Sequence, residues 1–265
     1  MALVYEEFTK ILRRCFFDVQ NEVGLGRREQ GYHDACLIWL QENSVPIQSK
    51  EAHHLRLDGQ IAHSLYPDLV AWDAITIELK AVARKLATSE FVQLFDYLKC
   101  RADRLGLLVN MGLDRVHVER VVYEPPQYQL KEDWRYWNGR ISGNARDVGA
   151  GVCDALRSVY QAHTTGYGDE VTQKLVQFAL KQRQLNYVVS PISETRFRGK
   201  VIDKSPLDCL VVEDCVVLVL TALFDGNQFN ISRGLSFMQA LNIGWGVAAN
   251  FGRQVAESTG LHSST

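Results

Sequence analysis

The feature that most constrains this chain is that its central pattern occurs twice. The segment SPLDCLVVEDCVVLVLTA at 205–222 lies over LYPDLVAWDAITIELKAV at 65–82 with a shift of 140 residues. The same shift carries Asn110 and Gly112 onto Asn250 and Gly252, and GYGDE at 166–170 echoes GLGRRE at 24–29. An offset kept from Asp208 to Gly252 is better evidence of duplication than any single identity. A chain of 265 residues built this way is expected to fold as two tandem copies of one unit rather than around one long core. We read residues 1–123 as a first lobe, 124–146 as an aromatic connector and 147–265 as a second lobe. The connector's Tyr123, Tyr128, Trp134, Tyr136 and Trp137 are expected to fill a seam between lobes, with stacking on single-stranded bases as the alternative use.

Each lobe reads as a compact α/β unit. Phe8, Ile11, Leu12, Cys15, Phe16 and Val19 recur at helical spacing over residues 5–22, and a second helix is expected from about Arg27 to Gln41. Extended segments follow around 45–61, with a turn at Asp58-Gly59. Next comes the hairpin LVAW/ITIELKAV, then the amphipathic helix EFVQLFDYLKCRADRL with Thr88 and Ser89 as caps. GLLVNMG and VHVERVVY read as buried strands. The order helix, helix, strands, helix, strand predicts a small mixed sheet flanked by helices.

Three classes of function are set aside by composition. No apolar run approaches the roughly 18–20 residues a membrane crossing needs, and MALVYEEFTKILRR carries no signal-peptide pattern. Six cysteines in apolar surroundings never form a CxxC pair, which favours buried free thiols in a reducing cytoplasm over disulfides or zinc. His33, His53 and His54 lack metal-ligand spacing and read as structural or surface residues. A net charge of −2 excludes a generally basic nucleic-acid binder. Positive charge would have to act locally, through Arg27 and Arg28, through Lys80, Arg84 and Lys85, or through Lys99, Arg101 and Arg104.

The charged residues of the central hairpin carry the chemistry. A hairpin turning at Asp73 sets Asp68 across from Glu78, and strand alternation puts Glu78 and Lys80 on one face with Leu79 on the other. Two carboxylates this close repel unless a divalent cation joins them, and oxygen ligands suit Mg²⁺. A lysine beside them can orient a metal-bound water. Such a constellation suits phosphodiester hydrolysis, although Asp followed by Glu-x-Lys recurs by chance in roughly half of chains this long.

Pro67-Asp68 … Glu78-Leu79-Lys80 resembles the signature of the PD-(D/E)XK nuclease superfamily. Gly26-Arg27-Arg28-Glu29-Gln30-Gly31-Tyr32 resembles GxxExxY, the mark of a bacterial family within it, and the resemblance spans about Val19 to Gly112. It implies a restriction-endonuclease-like core, a four-stranded mixed sheet flanked by helices, and cleavage of nucleic acid with Mg²⁺ or Mn²⁺. DNA is the expected substrate, because the superfamily consists mostly of DNA enzymes. By the same resemblance Asp68, Glu78, the Leu79 carbonyl and Glu29 are the expected metal ligands, and Lys80 positions water. Gln93 and Tyr97, one turn apart on a helix, resemble the QxxxY of RecB-like nucleases and join the catalytic set. Arg27, Arg28, Tyr32, Arg84 and Lys85 are the expected substrate contacts. Cys36, Cys100 and Cys153 lack the spacing of the iron–sulfur cluster that some RecB-like nucleases carry.

At the 140-residue shift Asp68 becomes Asp208, but Glu78 becomes Leu218, Lys80 Leu220, Gln93 Arg233 and Tyr97 Phe237. The second lobe is therefore expected to be catalytically dead, serving structure or substrate binding. The rival readings are a non-catalytic nucleic-acid-binding or assembly module, and a nuclease subunit active only within a larger complex, with a protein partner or a homo-oligomer as the candidate associations.

Overall fold

A computed structural model describes residues 5–263. The chain divides into two compact units, Met1–Leu55 with Ser64–Pro125, and Arg56–His63 with Pro126–Thr265. Among the described residues no helix is long and apolar enough to cross a membrane.

The first lobe opens with α1 (Glu6–Val23) and α2 (Glu29–Glu42). Leu12, Cys15, Phe16 and Val19 form the buried stripe of α1, and Glu6 and Glu7 in its first turn complement the helix dipole. The strands follow as β1 (Ile47–Ser49), β2 (His53–Leu57), β3 (Gln60–Leu65), β4 (Leu69–Ala71) and β5 (Ile75–Lys80). After α3 (Thr88–Arg101) come β6 (Leu105–Asn110) and β7 (His117–Val122). The sheet runs β1-β4-β5-β6-β7, with β2 and β3 forming a separate ribbon. It has one strand more than the four-stranded core implied by the resemblance. The pair β5 and β6 is parallel, as a crossover through α3 requires, and the other neighbours are antiparallel.

Alternation in β5 assigns its two faces. Ile75, Ile77 and Leu79 join Leu12, Phe16, Tyr32, Cys36 and Leu40 in the core under α1 and α2. The opposite face carries Glu78, whose neighbour Leu108 packs with Leu94 and Leu98 of α3. Thr88 and Ser89 are not the caps of α3: Ala87 holds the cap position, and the Glu90 carboxylate accepts its backbone N–H.

The second lobe begins inside the stretch read as a connector. Residues Gln129–Asp133 form β8, which pairs with the last strand of the chain. Then come α4 (Gly143–His163), α5 (Asp169–Gln182), β9 (Tyr187–Val189), β10 (Ile192–Phe197), β11 (Lys200–Pro206) and β12 (Leu210–Val212). They are followed by β13 (Val216–Ala222), α6 (Gln228–Leu241), β14 (Trp245–Phe251) and β15 (Val255–His262). The sheet order is β8-β15-β14-β13-β12-β9, again with a separate ribbon, β10-β11. Trp137 belongs to this lobe's core: its ring closes on Gly149 and Gly260, where a Cβ would lie 2.7 and 2.9 Å away, and its Nε1 donates to Leu261 O. Tyr136 by contrast is exposed.

The recurring Asn-x-Gly has a physical reason. Asn110 is fully buried; its Oδ1 accepts from the Val82 and Gly112 N–H groups, and its Nδ2 donates to Val82 O and Arg84 O. A Cβ at Gly112 would lie 2.4 Å from Val82 N, so only glycine fits. In the second lobe Asn250 donates to Phe224 O and Gly226 O, and Gly252 is crowded by Val255 O and Phe224 O. In both copies the asparagine clamps the segment that leaves the central strand.

Candidate active site

The observed register pairs Leu69 with Ile77 and Ala71 with Ile75, so the β4–β5 hairpin turns as its sequence implies. Asp68 sits at the mouth of that hairpin, where its Oδ2 accepts the Leu79 backbone N–H at 2.8 Å. On the α3 face, Lys80 Nζ donates to Glu78 Oε1 at 2.5 Å. The second carboxylate oxygen, Glu78 Oε2, is buried and accepts no hydrogen bond. An unpartnered oxygen on a residue only 2% exposed is costly to the fold.

The electrostatics follow from that burial. Glu78 is pushed up to about 8, first by desolvation and then by the Asp68 charge, with Lys80 opposing. For Lys80, burial acts to lower the pKa, but the Glu78, Glu29 and Asp68 carboxylates outweigh it and the net shift is upward. Glu29, in the first turn of α2, is raised by burial; Lys80 opposes, Asp68 adds, and the Ala81 N–H donates to it. Asp68, Glu78, Lys80 and Glu29 thus form one coupled charge cluster.

Tyr97 is 6% exposed, and its hydroxyl accepts from Gln93 Nε2 at 2.8 Å. Burial, and after it the Glu78 charge, raise its pKa, which places the phenol on the Glu78 side of the sheet. Arg27 and Arg28 are exposed before α2. Arg84 and Lys85 are exposed after β5, where Arg84 forks onto Glu90 at 2.6 and 3.3 Å. Tyr32 is a correction. It has no exposed surface for a substrate contact, lies in the α1–α2 core, and donates its hydroxyl to Gly24 O at 2.7 Å.

His33, which reads from the sequence as a structural or surface residue, supports the backbone at Asp68. It is 4% exposed, with Nε2 3.0 Å from Ser49 Oγ and 3.3 Å from the Asp68 carbonyl, and Nδ1 3.0 Å from Asp34 Oδ1. The polar position on the buried side of α2, one turn after Glu29, was the available signal.

The second lobe departs from the 140-residue shift where it matters. Its helices and β14 keep that shift, but Leu210 pairs with Leu218 as Leu69 pairs with Ile77, a shift of 141. Thr221 pairs with Asn250 as Lys80 pairs with Asn110. Ser190 N donates to Cys209 O as Lys50 N donates to Asp68 O. The true counterparts of Asp68, Glu78 and Lys80 are therefore Cys209, Val219 and Thr221, not Asp208, Leu218 and Leu220. Cys209 and Val219 pack with Met238 and Leu261. Asp169 takes the place of Glu29 and accepts the Ala222 N–H at 2.5 Å. Asp208 is displaced outward and pairs with Arg233 at 3.2 Å, whose guanidinium also covers the rings of Phe229 and Phe237. A cavity of about 30 Å³ lies beside Asp208, lined by Gln173, Ser190, Leu218 and Leu220 among others.

Compared with known proteins, the chain matches the family model of the PD-(D/E)XK nuclease superfamily twice, over residues 6–121 and 146–260. The chain belongs to the PD-(D/E)XK nuclease superfamily. No curated protein and no solved structure gives a significant match.

In PD-(D/E)XK terms the first lobe holds the motif's acid, acid and lysine together, and the second has lost all three while keeping the fold. PD-(D/E)XK nucleases generally use divalent metals. The donor chemistry of the first lobe fits such an ion: hard carboxylate oxygens, one of them buried and unpartnered, on a group whose pKa is raised by burial and by the Asp68 charge. Among the described residues no three His, Cys, Asp or Glu side chains stand in a finished metal-holding array. A cation here would draw on Asp68 and Glu78 together with backbone or water oxygens, or bring Glu29 in.

Proposed function

We propose that the first lobe is a divalent-metal-dependent nuclease that hydrolyses phosphodiester bonds in DNA, and that the second lobe is a non-catalytic copy. The observation that carries this reading is the orphaned Glu78 Oε2, buried next to Asp68 and Lys80. Asp68, Glu78, the Leu79 carbonyl and Glu29 would hold Mg²⁺ or Mn²⁺. Bound there, the ion supplies Lewis-acid polarisation of the phosphate and a water of lowered pKa.

The remaining work falls to side chains. Lys80 holds its ammonium charge beside the carboxylates, where it orients the attacking water and stabilises negative charge developing on phosphate. Tyr97, held by Gln93, fixes the α3 side of the cleft. Arg27, Arg28, Arg84 and Lys85 offer exposed positive charge to the phosphodiester backbone. Gly26, Glu29 and Tyr32 support placement in the GxxExxY family, with Tyr32 acting through the core. Six free cysteines fit a reducing cytoplasm.

A second reading, a binding or assembly module without cleavage, is favoured by one fact: among the described residues no three-ligand array is preformed. Incubating the protein with labelled single- and double-stranded DNA and RNA in Mg²⁺ or Mn²⁺ separates the two. Cleavage lost in EDTA supports the nuclease; inertness toward all four substrates with either metal contradicts it.

A further inference from the structure

The ribbons of the two lobes share a turn and an arginine that donates to its glycine carbonyl, Arg56 to Gly59 O and Arg196 to Gly199 O, and differ in the side chains next to the turn. Asp58-Gly59 and Arg198-Gly199 have matching left-handed backbone, φ 48° and 79° in each copy. Before the turn stands Leu57 in one copy and Phe197 in the other; Leu57 is 1% exposed and Phe197 61%. At the turn Asp58 is replaced by Arg198, and after it Gln60 is replaced by Lys200. The second ribbon has thus exchanged an acidic turn beside a buried leucine for a basic turn beside an exposed phenylalanine. Its strands are also uncovered, with Ile192 at 66% and Ile202 at 64% exposure.

The charges at that tip are not used up within the fold. Arg196 and Lys204 are spent on Glu194, at 2.6 and 2.8 Å. Arg198 lies over the neighbouring ring, 5.2 Å from the Phe197 centroid, and Lys200 is exposed. Phe197 and Lys200 are partners in the strand register, so ring and ammonium share one face. Leaving a phenylalanine in water costs free energy and helps no core in this lobe.

We infer that the β10–β11 ribbon is a nucleic-acid contact: Arg198 and Lys200 meet backbone phosphates while the Phe197 ring packs on a base. A two-stranded ribbon fits a DNA groove, and apolar side chains at such tips wedge or stack against bases. Charge complementarity selects nucleic acid over a protein partner, because the free groups at the tip are both cationic. The site lies outside the proposed cleavage centre and gives the second lobe a use that needs no metal.

The test is fluorescence anisotropy of the full-length protein with labelled single- and double-stranded oligonucleotides in EDTA, where no cleavage occurs. Phe197→Ala is expected to weaken binding about tenfold. Arg198→Ala with Lys200→Ala should reduce the slope of log K against log salt by about 2. Gln60→Ala, in the first ribbon, should change neither. Because these side chains are exposed, melting temperatures should stay at the wild-type value. No binding by the wild type, or unchanged affinity and slope in the variants, overturns the inference. So does a fall from dimer to monomer in Phe197→Ala without a change in affinity, which would assign the ribbon to a second copy. Cleavage assays of the same variants in Mn²⁺ keep the two proposals apart. Cleaving protein with unchanged binding sinks only the ribbon, and inert protein with weakened binding sinks only the nuclease.

Discussion

Strands β5 and β13 occupy the same place in their lobes, and their sequences, ITIELK and VVLVLTA, separate what the fold needs from what it merely tolerates. Both have apolar side chains on the face toward the first two helices of their lobe. On the other face β5 carries Glu78 and Lys80, while β13 carries Val219 and Thr221. In the second lobe the strand end is closed by neutral groups: Asn230 donates to Thr221 Oγ1 and Ala249 O, and Asn227 to Ala248 O. That copy shows that the lobe folds without a charge on this face. The buried Glu78 carboxylate of the first lobe therefore brings a folding cost that the second lobe avoids, which supports the proposal of a site retained for its chemistry. The clamp asparagines, present in both copies, belong to the fold.

The largest expected effect is on cleavage. Asp68→Ala, Glu78→Ala and Lys80→Ala should each lower it by about 10³-fold or more, with double variants little worse than singles because the three act as a unit. Asp208→Ala and Cys209→Ala should leave it unchanged. Full activity in any of the first three would erase the contrast between the lobes.

Removing a clamp should cost the same kind of stability in either copy. Asn110→Ala and Asn250→Ala are each expected to lose about 2–4 kcal/mol in denaturant unfolding, since each strands several buried backbone groups. A large loss in one lobe and none in the other would show that the asparagines are not equivalent.

Transplanting the second lobe's residues into the first, Glu78→Val with Lys80→Thr, should stabilise the metal-free protein by about 1–4 kcal/mol at pH 9. The sign follows from Glu78, whose folded pKa of about 8 lies above its ordinary value. A raised carboxyl favours the folded state below its ordinary pKa, and that contribution is lost as pH rises through about 8. Thermal melts of wild type and double variant should diverge between pH 5 and pH 9; parallel curves would mean that Glu78 is not strained.

The smallest effect is at the helix behind the site. Tyr97→Phe, which copies Phe237, should lower kcat only about three- to tenfold and leave stability nearly unchanged, because Gln93 can turn to water.

Much of this was legible in the sequence, for reasons that residues make plain. Period-two alternation and a turn at Asp73 suffice to bring Asp68, Glu78 and Lys80 together, because hairpin register leaves little freedom. The second lobe's register was not legible from the motif alone. One extra residue between Gly199 and Cys209 is compensated by one fewer between Thr221 and α6, so the 140-residue shift holds on both sides and hides the slip between them. The two turns, Asp73 and Asp214, are 141 apart and mark it. Tyr32 was misplaced because a motif tyrosine on a helix reads alike whether it faces a cleft or a core. The exposure of Phe197 was equally hidden, since an alternating ribbon looks the same covered or bare.

Counting bound Mn²⁺ by calorimetry at pH 8 tests the central claim most directly. One ion per chain is expected, lost in Asp68→Ala and in Glu78→Gln and retained in Asp169→Ala and Asp208→Ala. Its affinity should rise with pH up to about 8, as the proton on Glu78 ceases to compete, and then level off. Two ions per chain, none at all, or one that survives Asp68→Ala and Glu78→Gln would contradict the account.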